Sequence, residues 1–336
     1  MRAWQIISSG GIDALRLTDV EIPKPAQGQV RVKIEASSLN YRDLLMIEDP
    51  IGRNLQLPRV PNSDASGTIT AVGSGVKSLR EGDRVASCFF SSWVDGVITH
   101  AAMSSALGGA LDGVLAEEVV LNADGVISLP RGYSSVQGST LPCAALTAWH
   151  ALFEIKRIQK GDRVLLLGTG GVSIFAMQFA VAVGAEVFII SSSDEKLARA
   201  KSMGAHHLIN YKKFPNWERS VLELTNGVGV DLTVEVGGSG TVTRSIEATK
   251  VGGVVCLIGV LSEGVLDPTL VMRKSIRLQG IYVGSRTMFQ EMNRAIDNFN
   301  IKPVIYQEFD FDSAPEAFAA LKSQRHFGKL VIKTQN

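Results

Sequence analysis

An apolar run that breaks into glycines lies at the centre of the chain. Residues 164–173 read Val-Leu-Leu-Leu-Gly-Thr-Gly-Gly-Val-Ser, and the apolar residues that follow, from Ile174 to Ala180, are spaced as on a helix. The pattern predicts a buried strand, a tight turn and a helix. Glycines at such a turn let the backbone approach a pyrophosphate, and the N-terminal end of the helix attracts its charge. We therefore predict that this turn binds a dinucleotide through Gly168, Gly170, Gly171 and Val172.

The glycine turn alone has a second interpretation. Glycines near a strand end are also common in structural turns, and the third position of the dinucleotide fingerprint is Ser173 rather than glycine. However, apolar segments at 186–190 and 253–259 follow at the spacing of βαβ units, and the second of them again ends in glycine. This alternation favours a nucleotide-binding domain.

The composition indicates a small-molecule partner. The 336 residues carry 34 Lys and Arg against 33 Asp and Glu, a net charge of +1, so we expect no nucleic-acid surface and no polybasic membrane patch. The three cysteines, Cys88, Cys143 and Cys256, lack the spacing of a disulfide framework or a structural zinc site. We expect neither a leader peptide nor a membrane span, and a cytoplasmic location.

The sequence pattern changes near residue 127. Before it, short alternating segments such as 30–36 and 67–72 predict a mainly β region. After it, strand and helix patterns alternate. The tail predicts a helix at 311–324 and a last strand at 329–333 that returns to the first region. With 45% hydrophobic residues, the chain can bury two cores.

Several motifs, in their order, resemble the medium-chain dehydrogenase/reductase superfamily. They are Gly-Asp-Arg-Val at 82–85, Leu-Pro-Cys-Ala-Ala-Leu-Thr-Ala-Trp at 141–149, and Gly-Thr-Gly-Gly-Val at 168–172. The resemblance implies an α/β protein in which a Rossmann domain, a doubly wound parallel sheet at 127–295, is inserted into a mainly β GroES-like catalytic domain. That catalytic domain would comprise 1–126 and the returning segment 296–336. The resemblance also implies a homodimer formed through the Rossmann sheet edge near 260–281.

The chain departs from the zinc-dependent members of that superfamily. Zinc alcohol dehydrogenases place a cysteine, a histidine–glutamate pair and a second cysteine at three positions that align here with Asn40, Ser63–Asp64 and Cys143. Only Cys143 keeps a ligand type, whereas zinc needs three protein ligands. We therefore expect no zinc, and we interpret Cys143 as a small packing residue.

With these differences, the chain resembles the zinc-free branch of the superfamily, the quinone oxidoreductases. That resemblance implies that Asn40 and Tyr41 are catalytic donors at the nicotinamide end of the site, where they orient or polarise a carbonyl oxygen. The alternative is that Asn40 caps a helix and Tyr41 is a wall residue. We expect zinc-independent transfer of hydride from NADPH to a quinone or an α,β-unsaturated carbonyl compound. A zinc-type alcohol dehydrogenase relative and a non-catalytic NADPH-binding protein remain as alternatives.

The end of the second Rossmann strand indicates which nicotinamide cofactor is used. NAD-preferring domains place an acid there, but this chain has Ser191, followed by Ser192 and Ser193. Absence of the acid favours NADP over NAD, with Lys196 as a charged contact to the 2′-phosphate. The alternative is that the serines only cap a helix at 194–203, for which Asp194 is a plausible N-cap, and that Lys196 is solvated. By resemblance, the remaining cofactor contacts are Thr147, Tyr211, Ile258, Gly259, Val260 and Val283. Lys329 is a further candidate at the cofactor rim, with a surface charge as the alternative.

Overall fold

The computed structural model describes residues Met1–Thr334, so the last two residues of the predicted returning segment lie outside the described residues. The chain forms two compact units. The first, here called the β-rich unit, comprises Met1–Leu146 and the chain from Val283 onward, and the second, the parallel-sheet unit, comprises Thr147–Tyr282.

The strands, in chain order, are β1 Arg2–Ile6, β2 Leu15–Asp19, β3 Gln29–Ser38, β4 Asp64–Val72, β5 Arg84–Ser87, β6 Glu118–Asn122, β7 Val126–Ser128, β8 Arg163–Leu167, β9 Glu186–Ser191, β10 His207–Asn210, β11 Val230–Glu235, β12 Thr249–Leu257, β13 Arg277–Gly280, β14 Ile305–Asp310 and β15 Lys329–Lys333. The α-helices are α1 Tyr41–Glu48, α2 His100–Met103, α3 Ser135–Gly138, α4 Leu146–Trp149, α5 Gly171–Ala182, α6 Asp194–Ser202, α7 Trp217–Leu224, α8 Ser239–Ala248, α9 Pro268–Arg273, α10 Arg286–Phe299 and α11 Ala314–Lys322. Wider π-helical turns at Leu141–Ala145 and His150–Lys156 flank α4.

The β-rich unit is built around a seven-stranded sheet with the path β14-β15-β3-β4-β5-β7, in which β6 also pairs with β3. The apolar residues of β3 alternate with polar ones, and Val30, Val32 and Ile34 are buried in one core. The last strand, β15, pairs antiparallel with β3, so the predicted return of 329–333 to the first region is confirmed. This pairing brings Lys329 beside Asn40 at the start of α1, although the two residues are 289 positions apart in the chain.

The parallel-sheet unit is a doubly wound α/β domain, as predicted. Its six strands are ordered β10-β9-β8-β11-β12-β13, and every neighbouring pair is parallel. The central strand β8 has four buried apolar residues in a row, the pattern of a strand covered by helices on both faces. Because all strands point the same way, their carboxyl ends meet at one edge, where ligands bind in such sheets.

The two units begin and end at other residues than the sequence suggested. Residues 127–146 and 283–295 lie in the β-rich unit rather than with the Rossmann strands. Their contacts explain this: β7 pairs with β5, and Asn293 of α10 donates to the backbone oxygen of Ser128 at 3.0 Å. At the first boundary helical structure continues from Leu141–Ala145 into α4, so the local pattern there carries no boundary signal.

Two local expectations need correction. The N-cap of α6 is Ser193 rather than Asp194, and the Ser193 side chain accepts from the backbone N–H of Lys196 at 3.3 Å. The predicted helix at 311–324 begins as a 3-10 turn, so α11 covers only its centre. Within Met1–Thr334, none of the helices combines the length and apolarity that crossing a membrane requires.

Candidate active site

The glycine turn lies at the carboxyl end of β8, at the centre of the parallel sheet. Gly168 has a φ of +70°, a conformation that glycine adopts without a steric cost, and Gly170 is the N-cap of α5. A Cβ atom on Gly168 or Gly170 would meet no protein atom within 4 Å. The turn therefore leaves the positions of Gly168 and Gly170 open, in front of the helix N-terminus where Gly171 and Val172 begin α5, as a pyrophosphate-binding turn requires.

Ser173 takes over the packing role of the missing third glycine. It is 1% exposed, and its Oγ donates to the backbone oxygen of Leu167 at 2.6 Å. A small side chain is needed here because the helix packs closely on the strand, and serine meets that need while satisfying a carbonyl at the strand end.

A cluster of serines and a lysine lies at the end of the neighbouring strand, β9. Ser191 is buried, and its backbone oxygen accepts from the N–H of Tyr211, whose side chain is 40% exposed. Ser192 and Lys196 are half-buried. Burial lowers the pKa of the Lys196 ammonium, while Glu195 opposes that shift. These side chains surround the position where an NAD-binding domain places its acid.

Asp194, the nearest acid on α6, is occupied by other partners. Its Oδ1 accepts from Asn210 Nδ2 at 2.7 Å, and its Oδ2 pairs with Lys213 Nζ at 2.6 Å. These two hydrogen bonds hold the pKa of the Asp194 carboxyl below its ordinary value. Its negative charge is therefore compensated within the protein, which reduces its repulsion of an anion bound near Ser191.

The ends of β11 and β12 are joined through Glu235. The Glu235 carboxylate accepts from the N–H groups of Gly237 and Gly238 and from the hydroxyls of Thr241 and Ser245. Its backbone oxygen accepts from the N–H groups of Ile258 and Gly259, both at 2.9 Å.

The two backbone hydrogen bonds to Glu235 limit which groups of Ile258 and Gly259 are available to a cofactor. The N–H groups of Ile258 and Gly259 are already used, so their carbonyl oxygens and the backbone of Val260 remain for a carboxamide. The Val260 side chain is 65% exposed. Thr147 is buried within the helical segment that opens the parallel-sheet unit, whereas Val283 is buried in the β-rich unit and has a φ of +57°.

A buried polar cluster lies at the start of α1 in the β-rich unit. Asn40 is the N-cap of this helix, and its backbone N–H donates to Asp43 Oδ2 at 2.9 Å. Lys329 is only 3% exposed, and its Nζ donates to Asn40 Oδ1 and to the backbone oxygen of Leu39, both at 2.6 Å. The Asn40 Nδ2 is buried and has no hydrogen-bond partner among residues 1–334. Lys329 therefore belongs to the Asn40 cluster.

Two carboxylates complete this cluster. Burial raises the pKa of Asp43 to about 6, although Arg42, whose guanidinium lies 3.2 Å from Oδ1, lowers it. Burial also raises the pKa of Asp64, against the opposing effects of Lys329, the Ser63 hydroxyl and the Asn40 side chain. Burial lowers the pKa of Lys329, and Asp64 is the first of the groups that oppose this shift.

The positions that align with zinc ligands carry different chemistry. Ser63 is fully buried, and its hydroxyl donates to Asp64 Oδ1 at 2.7 Å. Asp64 Oδ2 accepts from the backbone N–H of Cys143 at 2.9 Å. Burial, with Asp64 adding to it, raises the pKa of the Cys143 thiol far above its ordinary value. In the part of the chain that is described, no group of three or more His, Cys, Asp or Glu side chains is placed to hold a metal ion.

Tyr41, the first residue of α1, is half-buried against an apolar cluster that includes Trp4, Ile47 and Phe318. The structure thus places the ring of Tyr41 on this cluster, while the Asn40 side chain turns to Lys329.

Sequence reasoning missed Asp43 and Glu235. Asp43 stands three residues after Asn40, the spacing at which a side chain can return to the N-cap backbone, so a local signal was present. For Glu235, the only local sign of a special role is the pair of glycines that follows it. Its hydroxyl donors, Thr241 and Ser245, lie further along the chain in α8.

Comparison with known proteins covers both units. A family model described as Alcohol dehydrogenase GroES-like domain matches residues 26–131, and one described as Zinc-binding dehydrogenase matches residues 171–298. A zinc-type alcohol dehydrogenase-like protein of Schizosaccharomyces pombe is 43% identical over 96% of this chain and 96% of its own length. The quinone oxidoreductase of Rattus norvegicus is 29% identical over 99% of this chain and 97% of its own.

Solved structures agree with these sequence relatives. A putative alcohol dehydrogenase from Sinorhizobium meliloti is 39% identical with a TM-score of 0.92, covering 99% of this chain and 98% of that one. An NAD-dependent alcohol dehydrogenase is 30% identical with a TM-score of 0.90, covering all of both chains. A mycobacterial protein complexed with NADPH is 26% identical with a TM-score of 0.84, covering 99% and 100%. The chain therefore belongs to the medium-chain dehydrogenase/reductase superfamily and is an NAD(P)-dependent oxidoreductase.

Proposed function

We propose that the protein is a zinc-independent, NADPH-dependent reductase that transfers hydride to a quinone or to an α,β-unsaturated carbonyl compound. The observation that carries this proposal is the buried Lys329 ammonium, 2.6 Å from Asn40 Oδ1, at one of the three positions that align with zinc ligands. A zinc ion beside an ammonium would meet like-charge repulsion. Of the three aligned positions, only Cys143 keeps a customary ligand type, whereas zinc needs three protein ligands.

Asn40 supplies the hydrogen-bond donor that such a reduction needs. Hydride addition to a quinone or an enone places negative charge on oxygen, and a preorganised N–H directed at that oxygen stabilises the charge. The unpartnered Nδ2 of Asn40 is a donor of this kind, held in a buried and polar cluster. NADPH, when bound, supplies the hydride. Tyr41 is proposed as the second donor from the family resemblance alone, because its ring packs on the apolar cluster that includes Trp4 and Phe318.

The end of β9 supports NADPH rather than NADH. Ser191 stands where an NAD-preferring domain has an acid, Lys196 lies in the first turn of α6, and Asp194 is engaged by Asn210 and Lys213. The proposed phosphate contacts are therefore a cation and hydroxyls, beside which the Asp194 carboxylate is engaged by its own partners. Gly168, Gly170, Gly171 and Val172 are the proposed pyrophosphate contacts, because the open space above the turn accommodates that group.

The substrate class is tested by the consumption of reduced cofactor. Purified protein is given NADPH or NADH with a panel of quinones, unsaturated aldehydes and unsaturated ketones, and the loss of cofactor absorbance is followed. We expect turnover of at least one acceptor, faster with NADPH than with NADH. Oxidation of alcohols without reduction of any acceptor would instead support the alcohol dehydrogenase alternative, and NADPH binding without turnover of either kind would support a non-catalytic role.

A further inference from the structure

We propose that Lys329 is a positioning residue that fixes the orientation of the Asn40 amide and so aims its N–H at the bound ligand. This inference rests on the proposed function, in which the Asn40 Nδ2 donates to the substrate oxygen. It assigns to Lys329 a role through Asn40 rather than a contact with the cofactor.

The chemistry of the contact determines which way the amide faces. An ammonium has hydrogen-bond donors and no acceptor, so the Asn40 atom 2.6 Å from Lys329 Nζ must be the oxygen. The Nδ2 group is then on the other side of the amide, where it is buried without an acceptor among the described residues. Leaving a buried donor unpaired is destabilising, so a site that keeps one open is prepared for an incoming oxygen.

Other contacts hold the backbone of Asn40 and also bear on its side chain, which lies in a capping box with the Asp43 backbone N–H and helps to lower the pKa of Asp64 by hydrogen bonding. The Asn40 N–H donates to Asp43 Oδ2, and its carbonyl accepts from the Asp43 N–H, both at 2.9 Å. The amide oxygen is held by Lys329, which also donates to the Leu39 carbonyl. Without the ammonium, the Leu39 carbonyl loses its donor and becomes an acceptor near the amide. Turning the Asn40 amide over would then satisfy Nδ2 within the protein and remove the donor from the ligand.

The cation is kept in this buried place by acidic neighbours. Asp64 and Asp43 both act electrostatically on Lys329, and the two carboxylates are themselves buried. By contrast, Lys333 on the same strand is more exposed and lies 3.8 Å from Glu308. Lys333 therefore offers a matched control, the same residue type on the same strand without a contact to Asn40.

The amide orientation can be measured without a substrate. Protein labelled with nitrogen-15 at asparagine is compared by NMR with Asn40→Asp, whose missing signal identifies the side-chain amide of Asn40. We expect one Asn40 amide pair in the wild type and in Lys333→Met, and a shifted or doubled pair in Lys329→Met. An unmoved pair in Lys329→Met would overturn the proposal, even if the variant binds NADPH more weakly. If Lys329→Met does not fold, Lys329→Arg is measured instead. The arginine guanidinium also has only hydrogen-bond donors, so we expect a single pair of Asn40 amide signals. A doubled pair would contradict the proposal.

A kinetic double-mutant cycle provides the functional measurement. Asn40→Asp keeps the contact with Lys329 but removes the donor, and we expect kcat to fall by about 10²–10³-fold. Lys329→Met should lower kcat by about tenfold or more, with the NADPH dissociation constant within about twofold of wild type. If Lys329 acts through Asn40, adding Lys329→Met to Asn40→Asp should cost little more.

The outcomes of the cycle separate the two proposals. Fully additive losses would contradict the positioning role, because Lys329 would then act independently of Asn40. If the wild type reduces no acceptor, the proposed function fails, while the NMR comparison still decides whether Lys329 orients the amide.

Discussion

At the scale of single residues, the polar cluster at Asn40 combines a fixed donor with carboxylates that are costly to ionise. Asp43 is fully buried, and its pKa of about 6 lies above the ordinary value of 3.8 because burial disfavours the charged form. Between these two values the folded protein binds more protons at Asp43 than the unfolded chain does. The contribution of Asp43 to the free energy of unfolding is therefore complete below the lower value and is lost as the pH rises through the higher one.

This linkage gives a first prediction. In the wild type, we expect Asp43 to lower the free energy of unfolding by on the order of 3 kcal/mol at most as the pH rises from about 4 to 6. In Asp43→Asn the titrating group is absent, so we expect this decrease to be absent too. Urea unfolding of wild type and variant across that range measures the difference. Parallel pH profiles for the two proteins would show that Asp43 does not titrate as described.

Lys196 carries the second residue-level prediction. Lys196→Ala should weaken NADPH binding by about tenfold or more, because a charge-assisted contact to the 2′-phosphate is lost, and should change NADH binding much less. The matched control is Lys201→Ala in the last turn of the same helix, which is exposed. Titration calorimetry with both cofactors measures this. Equal losses for NADPH and NADH would remove Lys196 from the phosphate site.

At the scale of elements, the turn between β8 and α5 needs glycine at Gly168 for its positive φ, and it leaves open space at Gly170. Gly170 has a φ of −78°, which any residue adopts, and a Cβ there would contact no protein atom within 4 Å. Gly170→Ala should therefore leave the melting temperature nearly unchanged. The added methyl group would stand where the pyrophosphate is proposed to bind, so we expect the affinities for NADPH and NADH to fall together by about tenfold or more.

Gly280 at the end of β13 provides the control for that variant. A Cβ at Gly280 also meets nothing within 4 Å, and β13 is separated from β8 by two strands of the sheet. Gly280→Ala should leave the affinities for NADPH and NADH unchanged, and they are compared on protein of the same oligomeric state because β13 is also the proposed dimer edge. Unchanged cofactor binding by Gly170→Ala would place the pyrophosphate elsewhere.

The elements also show what sequence reasoning could and could not reach. The β8 turn and the strand at β15 follow from local apolar periodicity and were predicted. The return of that strand to the first region was expected too, but its partner β3 was not. The link between Lys329 and Asn40 was not, because the two residues are 289 positions apart and only the pairing of β15 with β3 brings them together. Without that pairing, Lys329 resembled a surface charge. The α6 cap was misplaced by one residue because Ser193 and Asp194 are both good N-cap residues.

At the scale of the whole molecule, the open edge of the parallel sheet supports the homodimer that the family resemblance implies. The strand β13 ends the sheet, and apolar side chains near it are exposed, including Val265 at 91% and Met272 at 67%. An exposed strand edge with apolar neighbours is suited to pairing with a second copy.

We therefore propose a homodimer through β13, with a solution mass twice the 36.1 kDa of the chain. Light scattering coupled to size-exclusion chromatography measures it. Met272→Glu should shift the population toward the monomer, whereas Leu224→Glu, at an exposed apolar position on α7, should not. A monomeric wild type would contradict the proposed interface.

The independence of the reaction from zinc is tested most directly by measuring metal content and turnover on the same sample. Protein dialysed against a chelator is analysed for zinc by mass spectrometry, and its kcat for NADPH-dependent reduction of the best acceptor is measured before and after dialysis and after zinc is added back. We expect far less than one zinc per chain and an unchanged kcat throughout, because only Cys143 of the three aligned positions keeps a customary zinc ligand type and Lys329 Nζ lies 2.6 Å from Asn40 Oδ1. A stoichiometric zinc whose removal abolishes turnover and whose return restores it would contradict the proposed mechanism.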